Sequence, residues 1–537
     1  MNRLHVTVMS VAALASAGLL AVGPAALVGT TRPQAASTIS AGCATAPSAD
    51  GTEKVMPGSS GDMAGMSDMA DNATHHSMQE LRDKLAHTPS GGTLKVQRGV
   101  YQGALVIDHP VTLVGIGHAT LQGDGTGTVL TIRAPGTTVR DLMIEGSGPG
   151  PVDNPAGVRV QADDVVVKGL HIRDTYTGIW VEDVKGAQVV GNFIEGRKEV
   201  AVSGQSPRTG AGMDMAGMVM KADKGAARAG RGDGISLFNA VLPVVSGNTI
   251  TDARDGIYFE YGNGTRIECN SVVRGRYAIH SMYGKSVTVA NNHFARGESG
   301  PVMMYGGPVT LKRNVIRDEQ SAATGFGVLL LDVARVRMVN NVLVSNRVGL
   351  QIDGPLGNPD PTAVELNTIA LNQVGVGLYP SANAVLSQNS LAENTVQVLG
   401  LGADGGGGKS LWSRAGVGNY WSDYRGYAGS GRDVGVVPHV EGATAGRLLA
   451  SDPTLMALVS SPAFTLLRTM EQRTAGQNPV TVDRFPIVDP RSPSLPSAAT
   501  HAALGIALVG AGSLLICSLV LLRCARRSLL PFGRKKP

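Results

Sequence analysis

An asparagine recurs along this chain at an interval that few architectures accommodate. Asn248, Asn270, Asn292 and Asn314 follow one another every 22 residues, and Asn341, Asn367 and Asn389 continue the series across two longer intervals. A second register keeps step, because Gly or Ala stands 14 residues before these positions: Gly178 before Asn192, then Gly234, Gly256, Ala278, Gly300, Gly327 and Gly375. Two registers locked together over seven coils describe a solenoid in which each repeat stacks on the last. Asn suits such turns because it tolerates the left-handed backbone region, and its amide can hydrogen-bond along a stack of identical turns. Alternating residues, Ile257 with Phe259 and Val287 with Val289, then point into a narrow core.

The expected fold is all-β: a right-handed single-stranded parallel β-helix, a pectate-lyase-like solenoid of about ten coils. Composition agrees, since aromatic residues make up only 4% of the chain while Gly reaches 71 of the 537 residues. The earlier coils, from Leu94 to Ile172, keep the strand pattern (Val111-Thr112-Leu113, Val165-Val166-Val167) with a less regular turn. Segment 203–231 breaks the ladder and reads as a projecting loop in a solenoid spanning 78–410. Met78 to His87 reads as a short amphipathic helix covering the open N-terminal end, with Leu81 and Leu85 on one face. The aromatic cluster Trp412, Tyr420, Trp421, Tyr424 and Tyr427 marks a C-terminal cap over 411–485, with Pro462 to Thr469 packing on it.

Both ends speak about location. The apolar, Ala-rich run after Arg3 reads as a signal peptide over 1–36, followed by a small, polar segment at 37–77 where disorder is expected. Residues 502–522 are uncharged and long enough to span a bilayer, after a Pro/Ser-rich linker at 486–501. The basic tail 523–537 places the short end in the cytoplasm and the body on the extracytoplasmic face of the cell membrane, as a single-pass protein. That tail contributes to the net charge of +5, so the body is close to neutral and no nucleic-acid partner is expected. The four cysteines, Cys43, Cys269, Cys517 and Cys524, suggest neither a disulfide framework nor a CxxC metal motif.

Parallel β-helices host polysaccharide enzymes, which need acids and bases gathered on one face. Here Asp233, Asp255 and Glu260 are the nearest group, and the shared register of the two aspartates reads as turn chemistry. No catalytic residue is assigned, and no acid pair with a neighbouring Arg or His is expected. Sulfur is more informative. Met63, Met66 and Met69, followed by His75, His76 and Met78, lie in or beside a polar segment, and Met213, Met215, Met218 and Met220 cluster in the projecting loop. Thioethers gain nothing from packing there and are soft ligands suited to Cu(I). On the solenoid itself, Met282 and Met304 are one repeat apart, beside His280 and Met303. If Ile279 faces inward, His280, Met282 and Met304 face outward as a copper-holding group, with Glu260 one coil earlier in the same column.

The stretches Arg276-Tyr277-Ala278-Ile279-His280-Ser281-Met282 and Gly418-Asn419-Tyr420-Trp421-Ser422-Asp423-Tyr424 resemble the NosD family. So do Arg98-Gly99-Val100-Tyr101, His109-Pro110-Val111-Thr112-Leu113, Ser461-Pro462-Ala463-Phe464 and Leu466-Leu467-Arg468, the likeness running from about Gln79 to Pro490. The resemblance implies an exported factor in nitrous-oxide reductase maturation. It also implies docking on an ABC-type permease with its ATPase, a copper-carrying lipoprotein as donor, and transient copper, Cu(I) being the expected state. It places copper traffic at Tyr277 to Met282 and a structural role at Tyr420 to Tyr424. The membrane anchor and the Met-rich insertions depart from the family and leave the client open between nitrous-oxide reductase and another copper enzyme. The alternative is a carbohydrate-binding or carbohydrate-active protein, for which Tyr258, Tyr261, Tyr283 and Tyr305 offer an aromatic column.

Overall fold

The computed structural model describes Cys43 and residues 74–150, 154–197, 230–355, 360–401, 407–429 and, with interruptions, 433–494. Within these residues the chain winds into a right-handed parallel β-solenoid of about 13 turns. One sheet has 14 strands and two have 12. A typical coil runs Val287–Ala290, His293–Ala295 and Ser299–Gly306, contributing one strand to each sheet. The sheet carrying Tyr277–Met282 and Ser299–Gly306 is called the site sheet below, and the 14-stranded one the long sheet.

The asparagine ladder is continuous. The backbone N–H of Asn270 donates to Asn292 Oδ1 at 2.8 Å, its Nδ2 donates to the same oxygen at 3.0 Å, and Nδ2 also reaches Val245 O at 2.9 Å. The same pattern links Asn192 to Asn248 and runs on through Asn314, Asn341, Asn367 and Asn389 to Asn419. Asp483 closes it, accepting from Asn419 N at 2.7 Å and Trp421 Nε1 at 2.9 Å. From Asn192 to Asn389 the left-handed residue is the one before the asparagine, for example Gly247, Cys269, Asn291 and Arg313 at φ 67, 59, 57 and 53°. The asparagine is therefore selected for its amide, not for tolerance of positive φ. At the second register Ala278 is accommodated, but at Gly256 a Cβ would meet Val272 Cγ1 at 2.4 Å.

The solenoid has more turns than the expected ten because its first coils lack the asparagine. Leu142 and Leu170 hold that turn there, 2% and 1% exposed, and Leu170 N–H starts the ladder by donating to Asn192 Oδ1. Asn192 bonds directly to Asn248, so the two occupy adjacent rungs; residues 198–229, where the projecting loop is expected, lie outside the described residues. Helix α1, Met78–Ala86, begins at Ser77, whose Oγ accepts from Glu80 N, and buries Met78, Leu81 and Leu85 against the core. At the other end Trp412 and Trp421 close the core beside an antiparallel ribbon, His439–Gly442 with Pro479–Asp483. Outside the site sheet a second apolar layer contains Val302, Met304, Leu329 and Leu399, with Phe464 of the C-terminal segment packed on it.

One expectation is overturned: Cys43 and Cys269 form a disulfide, with Cα atoms 5.8 Å apart. Its partners are 226 residues apart and one lies in a segment read as disordered, so spacing gave no hint. Such a bond fits an oxidising compartment. Among the described residues no helix is long and apolar enough to cross a membrane. The expected signal peptide at 1–36, span at 502–522 and tail at 523–537 lie outside the described residues, as does the expected linker at 486–501 from residue 495 on; at its described start Ile487 is fully buried and its N–H donates to Asn419 O in the cap.

A shorter ladder lies between the long sheet and the site sheet: Glu319 N–H donates to Asn346 Oδ1, Asn346 N–H to Asn372 Oδ1 and Asn372 N–H to Asn394 Oδ1. Glu319 heads it, 1% exposed, with Oε2 unpartnered. Burial pushes its carboxyl up to about 8, against the lowering effect of a hydrogen bond from the Gly297 backbone. With the folded value above the unfolded one, stability falls as pH rises from about 4.5 towards 8. Glu319→Gln is therefore expected to stabilise the protein by about 2–4 kcal/mol at pH 8. The gain should nearly vanish at pH 5 in thermal unfolding followed by circular dichroism; an equal shift at both pH values would contradict the assignment.

Candidate functional site

The outer face of the site sheet carries two columns in register. One runs Trp180, Ser236, Tyr258, His280, Val302 and Leu329. The other runs Glu182, Phe238, Glu260, Met282, Met304 and Leu331. Alternation works as expected along Tyr277–Met282: Ile279 is fully buried in the core, while His280 and Met282 lie half-buried on the outside. Both columns change character at this coil. A mixture of polar, charged and aromatic residues precedes it, and the apolar outer layer follows it. His280 and Met282 occupy the seam.

Beneath His280 lies a buried charge network. Asp255 is 0% exposed, and Arg276 grips it with Nε on Oδ1 at 2.8 Å and Nη2 on Oδ2 at 2.6 Å. His280 Nδ1 meets Asp255 Oδ2 at 2.9 Å. One coil earlier Arg254 holds Asp233 by the same fork, both contacts at 3.0 Å, and Asp255 N–H donates to Asp233 Oδ1 at 3.4 Å. Burial alone would raise the Asp255 carboxyl, but hydrogen bonds from His280 and Arg276 outweigh it and hold the group well below the usual range. Burial and the neighbouring Asp255 raise Asp233, with Arg254 opposing. A charged Asp255 accepts a hydrogen bond from Nδ1–H and so leaves the ring's lone pair on Nε2, the carboxylate–histidine arrangement common behind metal ligands. The ring is also packed between Tyr258 and Tyr277, with centroids at 5.1 and 5.3 Å. Tyr258 OH donates to Glu260 Oε2 at 2.8 Å and stands 3.9 Å from Met282 Sδ.

This overturns the expectation that no acid pair with neighbouring Arg and His exists. The signal was present: Arg254 and Arg276, like Asp233 and Asp255, are one repeat apart. Adjacent Arg and Asp on successive coils interlock because each Arg reaches the Asp of the preceding coil. Both aspartates are buried and fully engaged by guanidinium forks, so the network orients His280 rather than meeting a solvent-borne substrate.

The expected metal residues divide. Met282 pairs with Met304 across neighbouring strands, but Met304 is 7% exposed within the outer apolar layer. Met303 is a correction: it is fully buried and packs in the core, because alternation turns it opposite to Met304. Met78 is a second correction, buried on the inner face of α1. His76 stacks on Tyr101 at 4.9 Å with Nε2 3.1 Å from Arg98 O, and His75 is exposed beside it. Met63, Met66, Met69, Met213, Met215, Met218 and Met220 lie outside the described residues. Tyr261, Tyr283 and Tyr305 form an exposed stack at the corner next to Met282, with centroids 5.2 and 5.6 Å apart, and Tyr258 belongs to the His280 column.

Residues 215–426 match the family described as "Periplasmic copper-binding protein (NosD)", a span that contains His280, Met282 and the buried network. A Pseudomonas aeruginosa protein named "Probable ABC transporter binding protein NosD" is 32% identical over 71% of this chain and 84% of its own length. A Stutzerimonas stutzeri protein of the same name is 30% identical over 70% of this chain and 82% of its own. Among solved structures, the chain is similar to the catalytic domain of a GH87 α-1,3-glucanase (14% identity, TM-score 0.48, covering 64% of this chain and 66% of that one). It is also similar to a PL6 alginate lyase (13% identity, TM-score 0.48, covering 66% and 86%). The length and identity of the match to the two bacterial relatives place this chain in the NosD family.

Proposed function

We propose that the protein is a copper-delivery factor, a binder rather than an enzyme, that holds Cu(I) transiently at His280 and Met282. The reading rests on one observation: a fully buried Asp255, gripped by the partly exposed Arg276, fixes Nδ1 of a half-buried histidine next to a thioether on an outward face. One imidazole and one thioether make a soft donor set suited to Cu(I), and Met304 in the next strand is the candidate third ligand. Cargo must leave as well as bind, and two firm ligands with a third recruited from a packed layer suit transfer better than a closed cage.

The family description supports copper and an extracytoplasmic position, and the relatives' names support association with an ABC-type transporter. In the full proposal, a permease and its ATPase dock the solenoid at the outer face of the membrane and a copper-carrying lipoprotein loads it. It then supplies the copper site of nitrous-oxide reductase, with residues 502–522 as anchor. The exposed Tyr261–Tyr283–Tyr305 stack favours a second reading, glycan binding along that corner.

Cu(I) titration of the full-length protein against a competing chelator, under reducing conditions, separates the readings. The His280→Ala/Met282→Ala double variant should bind at least tenfold more weakly than wild type, whereas Tyr261→Ala/Tyr283→Ala should be unaffected. If wild type fails to compete, or the double variant competes equally, copper is not held here. Asp255→Asn should weaken Cu(I) binding by about 10–100-fold while His280 remains in place. It should also lower Tm, since it removes the charge that the Arg276 fork and the His280 ring are built around. Unchanged affinity in that variant would remove the orienting role of the carboxylate.

A further inference from the structure

The C-terminal cap holds a second group of metal-ligating side chains, separate from the copper reading. The antiparallel ribbon turns His439, Glu441, Thr481 and Asp483 toward the solenoid, all buried, while Val440 and Val482 face away. An apolar inner face is the ordinary way to close a solenoid end, so a polar one calls for a reason. His439 Nε2 lies 3.1 Å from Asp423 Oδ1 and 4.0 Å from Glu441 Oε1. One ligand atom from each of the three falls within 4.8 Å of the others. Two ligands on a tetrahedral zinc, each at about 2.0–2.1 Å, stand about 3.3 Å apart; the His439–Asp423 pair at 3.1 Å already matches that spacing, and the others must close by between about 0.7 and 1.5 Å.

A further observation points to a ligand. Thr481 Oγ1 is buried without a hydrogen-bond partner directly opposite Glu441 on the same face of the ribbon, whereas the unpartnered Nδ1 of His439 lies on the side of the ring away from the carboxylates that Nε2 faces. An orphaned polar atom at a buried polar cluster marks where an ion or ordered water completes the site. The His439 ring is meanwhile held rigidly, stacked on Trp421 at 4.1 Å and 11°. One imidazole and two carboxylates, with no sulfur, suit a borderline divalent ion and not Cu(I).

We propose that Asp423, His439 and Glu441 bind one divalent transition-metal ion of the Zn2+ class. The ion would clamp the ribbon onto the 420–424 turn and so latch the cap over the last coil. Asp423 lies in the turn that follows the Tyr420–Trp421 strand, while His439 and Glu441 lie on the ribbon, so the ion bridges segments otherwise joined by packing and single hydrogen bonds.

The test is a Zn2+ titration of chelator-stripped full-length protein against a chromophoric competitor, paired with thermal unfolding. Wild type and Met282→Ala should each bind one Zn2+ per chain and gain Tm on its addition. Asp423→Asn and Glu441→Gln, which preserve side-chain shape, should each weaken that ion at least tenfold and lose the Tm gain, as should His439→Ala. Failure of wild type to take up Zn2+ would overturn the proposal. So would Zn2+ affinity and Tm gain that persist unchanged in Asp423→Asn, the variant whose half-exposed position makes misfolding the least concern.

Discussion

Everything in this molecule hangs on the amide stack at one turn of the solenoid. Each ladder asparagine binds the next rung twice, through its backbone N–H and its Nδ2, while its own Oδ1 receives the same pair from the rung before. A buried turn would otherwise strand backbone donors and acceptors in every coil, and a buried donor without a partner costs about 1–3 kcal/mol. The ladder removes that cost coil after coil and fixes the register of the chain. Because register is fixed, residues one repeat apart sit in adjacent strands, and a site can be assembled from positions 22 residues apart with no loop to place them.

The candidate copper site uses that property. Arg276 reaches back to Asp255 as Arg254 reaches back to Asp233, so two coils are cross-braced by charge beneath His280. A buried carboxylate is costly unless it is fully paired, and here each aspartate is held bidentately by a guanidinium that stays partly exposed. The consequence for chemistry is a histidine whose tautomer and orientation are set from below. The thioethers are set differently. Met282 stands at the edge of the polar columns and Met304 just inside the apolar layer, so the seam offers one accessible sulfur and one sheltered sulfur.

Much of this was legible from the chain alone, for reasons that particular residues make clear. The Asn and Gly registers carry the fold because they are enforced by hydrogen bonding and by close approach, constraints that admit few substitutes. Alternation from Ile279 placed His280 and Met282 outside, since strand period has no ambiguity over six residues. The same rule should have turned Met303 inward, where the structure has it. The first coils were undercounted because Leu142 and Leu170 fill the turn with apolar packing, which leaves no register. The Asp–Arg network was missed because the shared register of Asp233 and Asp255 resembles turn chemistry, and only the matching spacing of Arg254 with Arg276 reveals the brace. The Cys43–Cys269 bond joins distant segments, a fact no local pattern encodes.

The central claim, that copper is held by the His280 imidazole and the Met282 thioether, is tested most directly by X-ray absorption spectroscopy of the full-length protein loaded with one equivalent of Cu(I). The account predicts a mixed first shell of imidazole nitrogen and sulfur, with the sulfur component reduced in Met282→Ala and the imidazole component lost in His280→Ala. A shell of nitrogen and oxygen only, or spectra unchanged in both variants, would contradict it.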